Sequence, residues 1–177
     1  NLLINLTVIG VYYHLWFIPA LIISVLLLYY LSKKLKPFTI IVIAFLLFCI
    51  GVLGDAYYGF LPSGFLLDSM NQFLKIFTTT RNGLFFGFLF VSIGYWIQKT
   101  QIHMKIRVRT TWVLFILSYV MMFVEMGLLV TYSNPYEYNM YFSIIPTTFF
   151  LFSLCLYYPS DKDASDLRVK SGLIYFS

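Results

Sequence analysis

Long apolar runs separated by short polar gaps set the pattern of this chain. Five runs stand out: Leu15 to Leu31, Phe38 to about Leu53, Leu84 to Ile97, Trp112 to Val130, and Met140 to Tyr158; a sixth begins near Gly172. A helix needs about 20 apolar residues to cross a bilayer core. The third run reaches such a length only when Asn82 to Gln98 is counted. The pattern predicts an all-α integral membrane protein: a polytopic helix bundle with five complete spans plus the start of a sixth, in a single domain over 1–177. Phe65 to Phe77, after Pro62 and Gly64, alternates apolar and polar residues enough for a short interfacial helix. Gly83, Gly87 and Gly94 share one helix face, which lets a neighbouring backbone approach closely. Pro19 falls in the first turn of its helix, where its missing N–H costs nothing, and Pro146 is placed to kink the fifth span.

Composition agrees with the pattern. The chain is 60% hydrophobic and only 11% charged, against about 25% charged in a soluble domain. A mean hydropathy of +0.84 is more apolar surface than a soluble fold of 177 residues hides. The length leaves no room for a separate soluble catalytic module. The net charge of +5 does not point to nucleic acid, because the basic residues sit in the gaps between apolar runs. Lys33, Lys34 and Lys36 follow the first run; Lys99, Lys105, Arg107 and Arg109 the third; Lys162, Arg168 and Lys170 the fifth. The positive-inside rule then places loops 32–36, 99–109 and 159–170 in the cytoplasm of a multi-pass cell-membrane protein. Cys49 and Cys155 lie in apolar runs with no partner at metal or redox spacing. The chain does not begin with Met and stops as an apolar helix starts in SGLIYFS, so it reads as a fragment with spans missing at both ends.

Ionisable groups at membrane depth are costly and each needs a reason. Glu125 interrupts the fourth run, Arg81 opens the third, Asp55 closes the second, and His14 opens the first. The loop charges put all four in the outer half of the membrane. Each also has a plain reading. Arg81 and Glu125 would be an ion pair between helices, Asp55 a turn residue beside Gly54, and His14 an interfacial anchor among Tyr12, Tyr13 and Trp16. His103 lies among loop bases. Gly-rich phosphate loops, paired metal-spaced histidines and nucleophilic Ser elbows are absent from the sequence, and its two histidines, His14 and His103, do not point to a metal site.

Three segments together, YYHLWFIPALI at 12–22, TRNGLFFGFLFVSIGYWI at 80–97 and VEMGLLVTYSNPYEYNMYFSIIPTTFFLF at 124–152, resemble the membrane-bound acyltransferase 3 family. GVLGDAYYG points to the branch that includes the membrane half of vancomycin-resistance serine racemases. The resemblance covers nearly the whole chain. It implies a domain that moves an acyl group, usually acetyl, from cytoplasmic acyl-CoA to a hydroxyl of an extracytoplasmic envelope glycan or similar acceptor, with acyl-CoA as co-substrate and no permanently bound cofactor. The family's catalytic His lies on a first helix that no segment here matches. His14, Trp16, Asp55, Arg81, Asn82 and Glu125 are carried over as pocket residues instead. On that reading Arg81 supplies positive charge to the oxyanion or to a donor phosphate, Glu125 orients Arg81 or the His, and His14 binds acceptor hydroxyls. The alternative is uptake of an amino acid such as serine by a domain attached to a racemase. There Arg81 faces the carboxylate and Glu125 the ammonium. A structural scaffold is a third reading.

Overall fold

The computed structural model describes residues 16–77, 79–133 and 136–157, except the side chains of His103 and Met104. His14, the basic loop 159–170 and the run near Gly172 lie outside the described residues. The elements are all helical. Helix α1, Phe17–Ser32, carries Pro19 in its first turn. Helix α2, Pro37–Leu53, opens on a proline whose predecessor Lys36 is extended, as a residue before proline must be, and stops at Gly54. A turn and a short 3-10 helix, Tyr58–Phe60, lead to α3, Phe65–Phe77. Asp68 in the first turn of α3 and Lys75 in its last complement the helix dipole, and Leu74 is its buried anchor.

A π turn, Gly83–Gly87, runs directly into α4, Phe88–Thr100. Helix α4 ends at Gln101, whose φ of 50° is the left-handed cap of a helix terminus. Another 3-10 helix, Ile102–Lys105, precedes α5, Val108–Tyr132; α6 is Ile144–Tyr157.

Helix α4 is central: α1, α2 and α6 all pack on it, and α5 packs chiefly on α6. The core runs along this contact through Ile40, Ala44, Phe48, Phe88, Leu89, Ile93 and Ile97. Phe48 meets the rings of Phe86, Phe90 and Phe142 at 6.1–6.4 Å, mostly edge to face. The glycines of the π turn set the closest approach. A Cβ on Gly83 would lie 2.5 Å from the Ala20 carbonyl oxygen, and one on Gly87 would lie 2.5 Å from Ser24 Oγ. The fully buried Ser24 hydroxyl is shared between the carbonyls of Ala20, at 2.6 Å, and Gly83, at 2.8 Å. Gly94, on the same face, has only Phe152 at 4.0 Å.

The structure corrects the expected five spans and the multi-pass localisation built on them. Among the described residues, α5, with 25 residues, is the one helix long and apolar enough to cross a membrane. Helices α1, α2 and α6 have 16, 17 and 14 residues. At 1.5 Å per residue these are about 21–26 Å long, short of a hydrocarbon core of about 30 Å. The third run is divided at Phe88 between the π turn and α4. The fifth loses its start because residues 140–143 precede α6 and are bonded elsewhere. Hydropathy counts apolar residues; caps and turns decide how many of them a continuous helix contains. What the described residues form is a bundle of helices around α4, and the cytoplasmic assignment of loops 32–36 and 99–109 falls with the multi-pass topology.

Candidate functional site

Segment 136–143, between α5 and α6, is where the polar groups gather. Asp55, in the turn after α2, is 1% exposed. Its Oδ1 accepts the backbone N–H groups of Asn139 at 2.9 Å and Met140 at 3.3 Å. Its own carbonyl accepts the Tyr136 N–H at 3.1 Å. The Asn139 side chain is the hub. Its Nδ2 donates to Glu137 Oε2 at 2.8 Å and more weakly to Asp55 Oδ2 at 3.4 Å, while its Oδ1 accepts from Arg81 Nη1 at 3.0 Å. The Arg81 guanidinium also lies over the Trp16 ring, 4.9 Å from its centroid, within cation–π range. Thr79 accepts the Arg81 N–H at 3.1 Å and reaches Glu137 at 3.4 Å.

Glu125 sits one step along the same segment. Its Oε1 accepts from the Tyr57 hydroxyl at 2.6 Å and the Phe142 N–H at 2.8 Å. Its Oε2 accepts the Ser143 N–H at 2.8 Å and a short bond from the Ser143 hydroxyl. A carboxylate offers about four acceptor positions, so all are used. The partners of Glu125 are thus Tyr57, Phe142 and Ser143, and the expected pairing with Arg81 is replaced by bonds to the entry of α6. The N–H groups at a helix start have no partner within the helix and draw an acceptor. Here that acceptor comes from the neighbouring helix.

Of the residues singled out in the sequence, Asp55 and Arg81 meet through Asn139, Trp16 stacks on Arg81, and Glu125 holds the adjoining stretch. Asn82 is an N-cap. Its Oδ1 accepts from Leu84 N at 3.0 Å and Phe85 N at 3.1 Å, and its Nδ2 holds the Thr79 carbonyl at 3.1 Å. Asn139, Glu137, Tyr57 and Ser143 were missed. The signal was available in SNPYEYNMYFS, a polar interval between two apolar runs with Glu137 and Asn139 two residues apart. No group of three or more His, Cys, Asp or Glu able to hold a metal occurs among the described residues.

Burial pushes the Asp55 carboxyl above its usual range, and the nearby Glu137 charge adds to this; the N–H bonds from Asn139 and Met140 oppose it. Burial and then the bond to Glu125 likewise raise the Tyr57 phenol, which stays a donor. Because the folded state of Asp55 holds its proton more tightly than the unfolded state, its contribution to stability is fully present below the unfolded value. That contribution is lost as pH rises through the higher folded value. Asp55→Asn keeps an oxygen for the two backbone donors and is expected to flatten this slope. Thermal unfolding midpoints from about pH 4 to pH 7 check it, and an unchanged slope counts against the assignment.

A family model described as an acyltransferase domain matches residues 2–169. The chain is 29% identical over 178 residues to an amino-acid racemase of Enterococcus faecalis, covering 100% of this chain and 25% of that protein. It is 32% identical over 147 residues to a serine/alanine racemase of Enterococcus gallinarum, covering 83% of this chain and 21% of that protein. The chain therefore spans a quarter or less of the length of these relatives. No solved structure gives a significant match.

Proposed function

The chain belongs to the acyltransferase domain family, and from that premise we propose that it binds an amino acid such as serine and delivers it to a racemase domain of the same polypeptide. The single observation that carries this reading is the hub at Asn139, which links a guanidinium to two carboxylates. A zwitterion needs a cation for its carboxylate and an acceptor for its ammonium at short separation. Arg81 suits the first, and Glu137 with Asp55 suits the second. Glu125, whose acceptor positions are filled, serves to hold residues 142 and 143 in place. The printed names of the relatives, amino-acid racemase and serine/alanine racemase, support the substrate class. Helix α5, long and apolar enough to cross a membrane, supports a membrane-associated setting for uptake.

A second reading is favoured by the family match itself: transfer of an acetyl group from acyl-CoA to a hydroxyl of an envelope glycan. Arg81 would then place its charge at the oxyanion or at a donor phosphate. One experiment separates the two. The intact polypeptide in vesicles is given labelled serine and, in parallel, labelled acetyl-CoA. Serine uptake is expected, reduced at least about tenfold by Arg81→Ala with membrane abundance unchanged, the loss of one charged contact worth about 1.4 kcal/mol. Label entering glycan without serine uptake overturns the first reading in favour of the second.

A further inference from the structure

A cleft of about 530 Å³ opens between α5, the start of α6 and the turn after α2. Its size falls within the range of about 300–1,000 Å³ typical of small-molecule sites. Neither Arg81 nor Asn139 lines it. Val124 and Leu128 of α5 give it an aliphatic wall, and Tyr57, Phe60 and Phe142 give it an aromatic one. The Tyr57 ring stands 5.3 Å from Phe142, edge to face, and 6.0 Å from Phe60. Glu125 is the charged group of the lining.

The chemistry of that carboxylate restricts the occupant. All four of its acceptor positions are taken, so a ligand that must hydrogen-bond to it finds no lone pair. All four donors are neutral hydroxyl or amide groups, so the negative charge has no counter-ion among the described residues. A primary ammonium would bring three N–H donors to a wall whose remaining acceptors are the hydroxyl oxygens of Tyr57, Tyr132 and Ser143, two of them already turned towards Glu125, and any donor left without a partner in an apolar cleft is costly. A cation with no donors avoids that cost. It gains the field of Glu125 and the negative faces of the aromatic rings, the combination by which quaternary ammonium groups are recognised. We propose that this cleft binds a quaternary ammonium group bearing a short apolar chain, with the head against Tyr57, Phe60 and Phe142 beside Glu125 and the chain along Val124 and Leu128.

Hexyltrimethylammonium is the probe, titrated calorimetrically into the intact polypeptide in a neutral detergent, with hexanol and hexylammonium as controls. Saturable binding at least about tenfold tighter than either control is expected, since hexanol lacks the cation–π contact and hexylammonium leaves N–H donors to satisfy. Glu125→Gln should weaken it about tenfold. Because that variant also disturbs the entry of α6, Leu128→Trp is the second test: it fills the cleft from an exposed position and should abolish binding while Glu125 keeps its bonds. Competition by a short-chain phosphatidylcholine assigns the natural ligand to lipid, and lack of competition assigns it to a free solute; the site stands in either case. Equal binding by Leu128→Trp and the unaltered protein, or binding no tighter than that of hexanol, overturns the proposal. Serine is absent from the titration, so its failure leaves the amino-acid reading untouched.

Discussion

Glu125→Ala is expected to destabilise the protein by about 2–4 kcal/mol. The change removes the acceptor of two backbone N–H groups and two hydroxyls at once. A buried donor left without a partner costs about 1–3 kcal/mol. The Phe142 N–H is exposed and water replaces its partner at little cost, which holds the sum to this range. The carboxylate also faces the start of α6, where negative charge complements the helix dipole. A fall in the thermal unfolding midpoint, measured in neutral detergent, reads the effect. A variant within about 0.5 kcal/mol of the unaltered protein would show that other contacts hold the segment.

Gly83→Val is expected to leave little folded protein, and Gly83→Ala to cost about 1–3 kcal/mol. The first atom of any side chain there meets the Ala20 carbonyl oxygen at 2.5 Å and Ile23 Cβ at 2.9 Å. The carbonyl is backbone inside α1 and cannot rotate aside, so α1 and the π turn must separate, which breaks the Ser24 to Gly83 hydrogen bond between them. Gly87→Ala should be milder, because the atom it meets is the Ser24 hydroxyl, which can turn aside at the cost of its bonds to the Ala20 and Gly83 carbonyls without forcing backbone apart. Gly127→Ala is the control. It lies within α5 with nothing inside 4 Å of the added atom, and helix propensity favours Ala over Gly by up to about 1 kcal/mol. Recovery of folded protein for the series, in the order Gly127→Ala, Gly87→Ala, Gly83→Ala, Gly83→Val, tests the argument. Recovery of Gly83→Val equal to that of Gly127→Ala would refute it.

The ends of α2 and α3 were legible in the sequence, and the starts of α4 and α6 were not. The run Met140 to Tyr158 is mostly apolar, yet Met140 to Ser143 stay outside α6, where Asp55 holds the Met140 N–H and Glu125 those of Phe142 and Ser143. Nothing local in the sequence announces that competition, since the acceptors lie 85, 17 and 18 residues away. Asn82 looked like a pocket residue, whereas Asn before a glycine-led helix is also a capping signal, and capping is the role it takes. The sequence singled out Arg81 and Asp55 as ionisable residues in apolar surroundings, and the structure links them through Asn139. The residue joining them did not, because Asn139 is a neutral amide in a polar interval and carries no charge to draw attention. Pairing Arg81 with Glu125 rested on opposite charge and a shared depth and overlooked the backbone donors at the start of α6.

The arrangement of α5 bears on how the molecule comes apart. Helix α5 packs chiefly on α6, and Glu125 ties it to the entry of α6. Those two helices are expected to open together in hydrogen exchange, as contiguous supersecondary pieces do. Asp55, from the other side, grips the segment between α5 and α6. One carboxylate therefore ties α5 to the entry of α6 while the other ties residues 139 and 140 to the turn after α2, so Glu125→Ala is expected to raise exchange within α5 and α6, and Asp55→Ala to raise it across the whole bundle.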